Sequence, residues 1–65
     1  MEDINSRIKI ALKEKGMTQK ELSEKSCVTE AAISRYVNGN RCPTLRVAAQ
    51  IADALDVSLD WLAGR

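Results

Sequence analysis

Residues that begin and end helices recur along the chain and divide it into five short segments. Ser, Thr, Asp or Asn precedes each apolar run, and such side chains accept hydrogen bonds from the free N–H groups of a first helical turn. Glycine or asparagine follows several runs, as at a helix end. The strict alternation of apolar and polar residues that marks a strand occurs nowhere. The sequence therefore predicts an all-α fold of five helices.

The predicted helix boundaries follow from these local signals. Asp3 or Asn5 can cap the first helix, which runs to about Lys15, where Gly16 and Met17 close it. The fourth helix has the clearest apolar face at the spacing of an amphipathic helix. That face is predicted to comprise Leu45, Ala48, Ile51, Ala52 and Leu55. The second helix begins at the TQKE capping box (18–21) and ends near Lys25. The third helix begins at Thr29 and ends at Asn38-Gly39, and the fifth begins at Ser58.

Length and composition exclude several classes of protein. A chain of 65 residues makes one domain, residues 1–65, with a core of limited size. It has no histidine, and Cys27 and Cys42, both predicted to be free thiols, cannot complete a four-ligand zinc site. We therefore expect no metal, no cofactor and no enzyme activity. The apolar runs are too short for a membrane span, and the N-terminus lacks a signal-peptide core, which predicts a cytoplasmic protein.

The net charge of +1 is a weak argument against nucleic-acid binding, but the charges are unevenly distributed. Residues 18–46 carry five basic and three acidic side chains, a balance of +2, whereas residues 47–65 carry one basic and three acidic side chains, a balance of −2. The charge is therefore mildly polarised along the chain, with the acidic groups Asp53, Asp56 and Asp60 collected at the C-terminal end.

The spacing of apolar residues between positions 19 and 38 is typical of a helix-turn-helix. Two helices of similar length are separated by a tight turn, and Leu22, Val28, Ile33 and Tyr36 can hold them at a steep angle. One face of the second helix then stays free. In a helix-turn-helix protein this second helix enters the DNA major groove.

The segment TQKELSEKSCVTEAAISRYVNG resembles the helix-turn-helix of the phage-repressor/Cro (Xre-type) family. PTLRVAAQIADALDVSLDWL resembles the fourth and fifth helices of that family, and the resemblance covers roughly residues 4–63. It implies a compact five-helix lambda-repressor-like DNA-binding domain, with the helix-turn-helix at about 18–38. The chain has Cys27 and Asp56 where the family usually or often has glycine. Aspartate tolerates the left-handed region fairly well, but cysteine does not, so the turn is either strained at Cys27 or shaped differently. We expect Cys27 at or near positive φ.

The free face of the third helix carries side chains suited to base edges. Arg35 has Ala31 and Gly39 one turn away on either side, so no carboxylate occupies its guanidinium at that spacing. Arg35 can bind guanine, Glu30 can accept from cytosine, Ala31 can contact a thymine methyl, and Ser34 can bond a base or a phosphate. Two alternatives stay open: Arg35 pairs with a surface carboxylate such as Glu30, or Glu30 only stabilises the helix start.

Several residues around this face are candidates for phosphate contacts. The resemblance implies this role for Gln19 at the start of the second helix, where free N–H groups also attract anions. Thr29, Asn38 and Arg41 are further candidates. Gln19 can alternatively be a solvated first-turn residue.

The resemblance implies a sequence-specific regulator of transcription that acts as a repressor. Such a protein binds double-stranded DNA as a homodimer on a palindromic operator. It is cytoplasmic, and it is encoded by a bacterium or by a phage. Family members of this size commonly pair through the fourth and fifth helices, which makes Val57, Leu59 and Trp61 the candidate dimer interface. The alternative function is a protein-interaction module, such as an antitoxin-like or repressor-partner subunit that uses the same fold as a scaffold. A basic surface that is continuous around Gln19, Arg35, Asn38 and Arg41 would favour DNA, and an apolar patch there would favour a protein partner.

Overall fold

The computed structural model describes residues 3–64, and in this range it contains five α-helices and no strand. The all-α prediction is confirmed. No helix in this part of the chain is both long and apolar enough to cross a membrane. The helices are α1 (Ile4–Lys15), α2 (Gln19–Ser26), α3 (Glu30–Val37), α4 (Leu45–Leu55) and α5 (Leu59–Leu62).

Each helix begins with a side chain that accepts a hydrogen bond from a backbone N–H of its first turn. The predicted capping box at α2 is complete: the Glu21 N–H donates to Thr18 Oγ1 and the Thr18 N–H donates to Glu21 Oε1, both at 3.1 Å. At α1 the Asp3 carboxylate accepts from the Ser6 N–H at 2.9 Å, which decides between the two predicted caps. The helix-capping residues are Asp3, Thr18, Thr29, Thr44 and Ser58.

Three helices end in the left-handed conformation. Gly16 has φ 62°, and the following Met17 N–H donates to the Leu12 carbonyl at 2.9 Å, as predicted for this helix end. Cys27 has φ 60° and Asp56 has φ 57°, and within residues 3–64 they are the non-glycine residues with positive φ. The expected positive φ at Cys27 is confirmed. Cys27 therefore holds a side chain in the left-handed region at the start of the turn between α2 and α3.

One apolar cluster holds the five helices together. It is built from aliphatic side chains and Tyr36, which is 7% exposed. α1 packs against α3, α4 and α5, while α2 packs against α3 and α4. The fully buried large side chains are Ile8, Leu22, Ile33, Ile51, Leu55 and Leu62.

The predicted apolar face of α4 is wrong at its first residue. Leu45 is 75% exposed, whereas Ala48, Ile51, Ala52 and Leu55 are buried as predicted. Leu45 is the first helical residue after the Thr44 cap, and the contacts of α4 with the core begin with Val47 and Ala48. The helical spacing thus predicts an apolar face that is one turn longer than the part of α4 that contacts the core.

Candidate nucleic-acid interface

α3 is held from one side and free on the other. Its inward side chains Ile33 and Tyr36 are 0% and 7% exposed. The opposite side carries the four residues that we predicted to read bases: Glu30, Ala31 and Arg35 are exposed and Ser34 is half-buried. The structure therefore brings all four together on one helix face. Whether they contact bases stays a prediction.

The starts of α2 and α3 carry two of the predicted phosphate contacts, which differ in exposure and hydrogen bonding. Gln19 is the first residue of α2 and is half-buried. Thr29 is exposed, but its hydroxyl already accepts from the Ala32 N–H at 3.2 Å. The Thr29 hydroxyl proton remains available to a phosphate oxygen, because a hydroxyl is a donor as well as an acceptor.

The C-terminal end of α3 is organised by its own hydrogen bonds. The Asn38 N–H donates to the Ser34 carbonyl at 3.0 Å, and the Asn38 amide side chain lies 3.4 Å from Ser34 Oγ. The Asn40 N–H donates to the Arg35 carbonyl at 2.9 Å, and Gly39 has φ 78°. Asn38 is exposed at this end of the helix, beside the residues of the free face.

Asn5 is a residue of this region whose role the sequence analysis did not identify. Its side-chain amide donates to the Tyr36 carbonyl at 2.6 Å and to the Arg41 carbonyl at 2.9 Å, and it is only 7% exposed. It thus ties α1 both to the end of α3 and to the loop that follows. A signal was present, because Asn5 precedes the buried Ile8 by three residues and therefore lies on the buried face of α1.

The free face of α3 is polar, with one acidic and one basic side chain, Glu30 and Arg35. Arg35 and Arg41 are both exposed, one on α3 and one in the loop after it. Leu45 is the one large apolar side chain that is mostly exposed in residues 3–64, and it lies outside α3.

A second surface lies between α1 and α5. Val57, Leu59 and Trp61, the predicted dimer residues, are each half-buried and so keep some apolar surface exposed. A groove of about 380 Å³ opens beside them. It is lined by Ala11, Glu14, Lys15, Val57, Ser58 and Trp61.

Two further predictions concern cysteine and metal chemistry. Cys27 and Cys42 are free thiols and both are exposed, as predicted. Within residues 3–64, no three side chains of the His, Cys, Asp and Glu types are grouped as a metal site requires.

Comparison with known proteins identifies the family. The helix-turn-helix family pattern matches residues 8–62, which include α2 and α3 and reach from α1 to α5. The chain belongs to the Xre-type helix-turn-helix family. In this helix-turn-helix chain, α2 and α3 are the two helices of the motif, and Cys27 is the first residue of the turn between them.

A curated relative shares the same region. The chain is 34% identical over 58 residues to YqaE of Bacillus subtilis (strain 168), which is described as an uncharacterized HTH-type transcriptional regulator. The match covers 89% of this chain and 50% of the relative, so the chain spans about half the length of that protein. No solved structure gives a significant match.

Proposed function

We propose that this helix-turn-helix chain binds double-stranded DNA sequence-specifically and regulates transcription, with α3 inserted in the major groove. The observation that carries the proposal is the division of α3 into two sides. Ile33 and Tyr36 anchor it in the core, and Arg35 projects from the free polar side. A rigid helix with one free polar face fits a groove that is wide enough for a helix. The relative named as a transcriptional regulator supports the same function.

Arg35 is the main base-reading residue in this proposal. An exposed guanidinium presents two parallel N–H groups, and these match the O6 and N7 acceptors of guanine. Ala31 and Ser34 lie four and one residues before Arg35 on the exposed side of the helix, where they can contact neighbouring bases. Glu30 adds an acceptor suited to the amino group of cytosine.

Phosphate contacts on both sides of the groove would fix the orientation of α3. Gln19 stands at the N-terminal end of α2, where the helix dipole is positive and N–H groups are free to bind an anion. Thr29 and Asn38 stand at the two ends of α3, and Arg41 extends from the next loop. Such contacts set the register of a protein on the duplex without reading its sequence.

The chain acts in this proposal as a homodimeric repressor on a palindromic operator. Val57, Leu59 and Trp61 are partly exposed apolar residues, and burying them between two copies would remove apolar surface from water. The two α3 helices of the dimer would then lie about 34 Å apart, one turn of DNA. An apolar dimer surface and a separate polar face on α3 allow both contacts at once.

Selection of bound sequences from random duplex DNA tests this function. We expect an enriched motif with approximate two-fold symmetry and an affinity that falls steeply as salt rises, because phosphate contacts release counterions. Sedimentation should show two copies of the chain on each site. If no motif is enriched and affinity is insensitive to salt, the chain is a protein-interaction module instead. A monomer that binds a single half-site would retain DNA binding but refute the dimer.

A further inference from the structure

Asn5 is the buried polar side chain that joins separate elements of this fold. The other buried polar residue in the described part of the chain is Ser26, whose hydroxyl donates to the Leu22 carbonyl of its own helix at 2.6 Å. Asn5 instead reaches from α1 to the carbonyls of Tyr36 and Arg41, residues 31 and 36 positions further along the chain. We propose that Asn5 is a positioning residue for DNA binding, which holds the Arg41 loop in its DNA-binding conformation.

The chemistry of the amide explains why asparagine fits this position. A side-chain amide has two N–H donors, and Asn5 uses its nitrogen to donate to two carbonyls of different segments. Its oxygen lies 3.8 Å from the thiol sulfur of Cys42, which is a weak donor. An apolar residue here would fill the same space but remove the donor from the part-buried Arg41 carbonyl, while the Tyr36 carbonyl would keep its bond from the Gly39 N–H. A carboxylate would bring only acceptors towards two acceptors.

The loop that Asn5 holds has no regular structure of its own. No helix or strand is assigned to residues 38–44, which lie between α3 and α4. The Arg41 carbonyl is fixed by Asn5 at 2.9 Å while the Arg41 side chain is exposed. The hydrogen bonds from Asn5 to the Tyr36 and Arg41 carbonyls, here called the Asn5 clamp, therefore fix the backbone of Arg41 and leave its guanidinium free. Fixing a binding group before contact lowers the entropy that is lost when the complex forms.

This inference rests on the proposed function, because it assigns Arg41 a phosphate contact. It adds that the contact depends on a side chain of α1 that itself faces the core. Asn5 acts through Arg41, and removing its amide should weaken DNA binding even when the protein remains fully folded.

A double-mutant cycle separates this role from a general effect on stability. Asn5→Ala, Arg41→Ala and the double variant are titrated with the duplex selected by the wild type, at a temperature where all are folded. We expect Asn5→Ala to weaken binding about 10-fold when Arg41 is present, the loss expected if Arg41 no longer makes its bond to a charged phosphate. In the Arg41→Ala background the same change should weaken binding less than about 2-fold, because coupled residues are not additive. The salt slope should fall by about 1 in each variant.

Two further variants keep the cycle interpretable. Ile51→Val, a core change in α4 away from the loop, lowers stability without touching Asn5, and its affinity for DNA should equal that of the wild type. Asn5→Ser retains a single donor and serves if Asn5→Ala does not fold, with an intermediate loss of affinity expected. Equal weakening by the Asn5 variant in both Arg41 backgrounds would show a merely structural role and would overturn the inference.

Backbone dynamics give a readout that requires no DNA. Amide order parameters of residues 39–42 should fall in Asn5→Ala and should remain unchanged in Ile51→Val. Unchanged order parameters in Asn5→Ala would refute the clamp itself. If the wild type binds no duplex, the proposed function fails and the DNA role of Asn5 fails with it. If the wild type binds and the cycle is additive, only the inference fails.

Discussion

The guanidinium carbon of Arg7 lies 4.9 Å from the centroid of the Trp61 ring. This contact joins the second turn of α1 to α5, and both side chains are half-buried. Arg7 Nε is buried without a hydrogen-bond partner in the described part of the chain, and the Trp61 ring faces the same guanidinium. Cation–π contacts of this kind stabilise proteins by about 0.5–1 kcal/mol at exposed sites and more when desolvated.

Arg7→Ala should lower the free energy of unfolding by about 1 kcal/mol, through the lost cation–π contact and the lost packing of the arginine stem. Lys9→Ala is the matched control, because Lys9 lies on the same helix and is exposed. Its effect should stay within about 0.5 kcal/mol. Urea unfolding followed by circular dichroism measures both. Equal losses in the two variants would mean that the Trp61 contact does not contribute.

Cys27→Gly should stabilise the fold by about 1 kcal/mol, because a residue with a Cβ atom is disfavoured at the φ of 60° that Cys27 adopts. Asp56→Gly is the informative comparison, since Asp56 has nearly the same φ of 57°. Aspartate tolerates the left-handed region better than cysteine, so its replacement should gain less. Thermal unfolding of the two variants tests whether Cys27→Gly gains more stability than Asp56→Gly. A larger gain from Asp56→Gly would contradict this account of the turn.

The stabilisation of α1 by its capping residue, Asp3, should depend on pH. The Ser6 backbone N–H, and secondly the Ser6 hydroxyl, lower the pKa of the Asp3 carboxyl by hydrogen bonding to its charged form. A lowered folded-state pKa means that this stabilisation is complete above about pH 3.9, the ordinary aspartate pKa. It is lost as pH falls through the lower folded value. Asp3→Asn can still cap the helix but does not titrate. The variant should therefore lose less stability than the wild type on acidification, and identical acid unfolding curves would refute the role of Asp3.

Arg35→Ala should cost about 1–3 kcal/mol of binding free energy on the best site and relax the preference at one base pair in each half-site. Gln19→Ala should weaken all sequences about equally, because phosphates are the same at every base pair. Binding measured on the selected duplex and on a set of single-base variants distinguishes the two. A uniform loss in Arg35→Ala, with base preferences retained, would make Arg35 a phosphate contact.

The helix boundaries could be predicted from the sequence because their causes are local. Thr18 and Glu21 are three residues apart, and nothing beyond that segment is needed for their two hydrogen bonds. The same holds for Gly16, whereas the left-handed turn at Cys27 was expected from the family resemblance, because cysteine itself gives no local signal for a positive φ. The free face of α3 was also predictable, because helical periodicity separates Ile33 from Arg35 without reference to other helices.

Leu45 and Asn5 show where this reasoning ends. The periodicity of α4 places Leu45 on the inward face, but burial depends on whether another element extends over that turn, which periodicity does not encode. Asn5 was predicted only as an alternative cap, because its actual partners are the carbonyls of residues 31 and 36 positions away. A sequence does not indicate which backbone carbonyl accepts a hydrogen bond from a side chain, because every residue has a carbonyl.

The distance along the chain between Asn5 and its partners also sets an order of events during folding. The caps of the helices form within a few residues, and small helical proteins fold in microseconds to milliseconds. The bond from Asn5 to the Arg41 carbonyl closes a loop of 36 residues and requires that α1 and α3 have already docked. Asn5→Ala should therefore accelerate unfolding and leave the refolding rate nearly unchanged in stopped-flow experiments. We therefore expect the loop that carries Arg41 to become ordered only after α1 and α3 have docked, and to be released early when the protein unfolds.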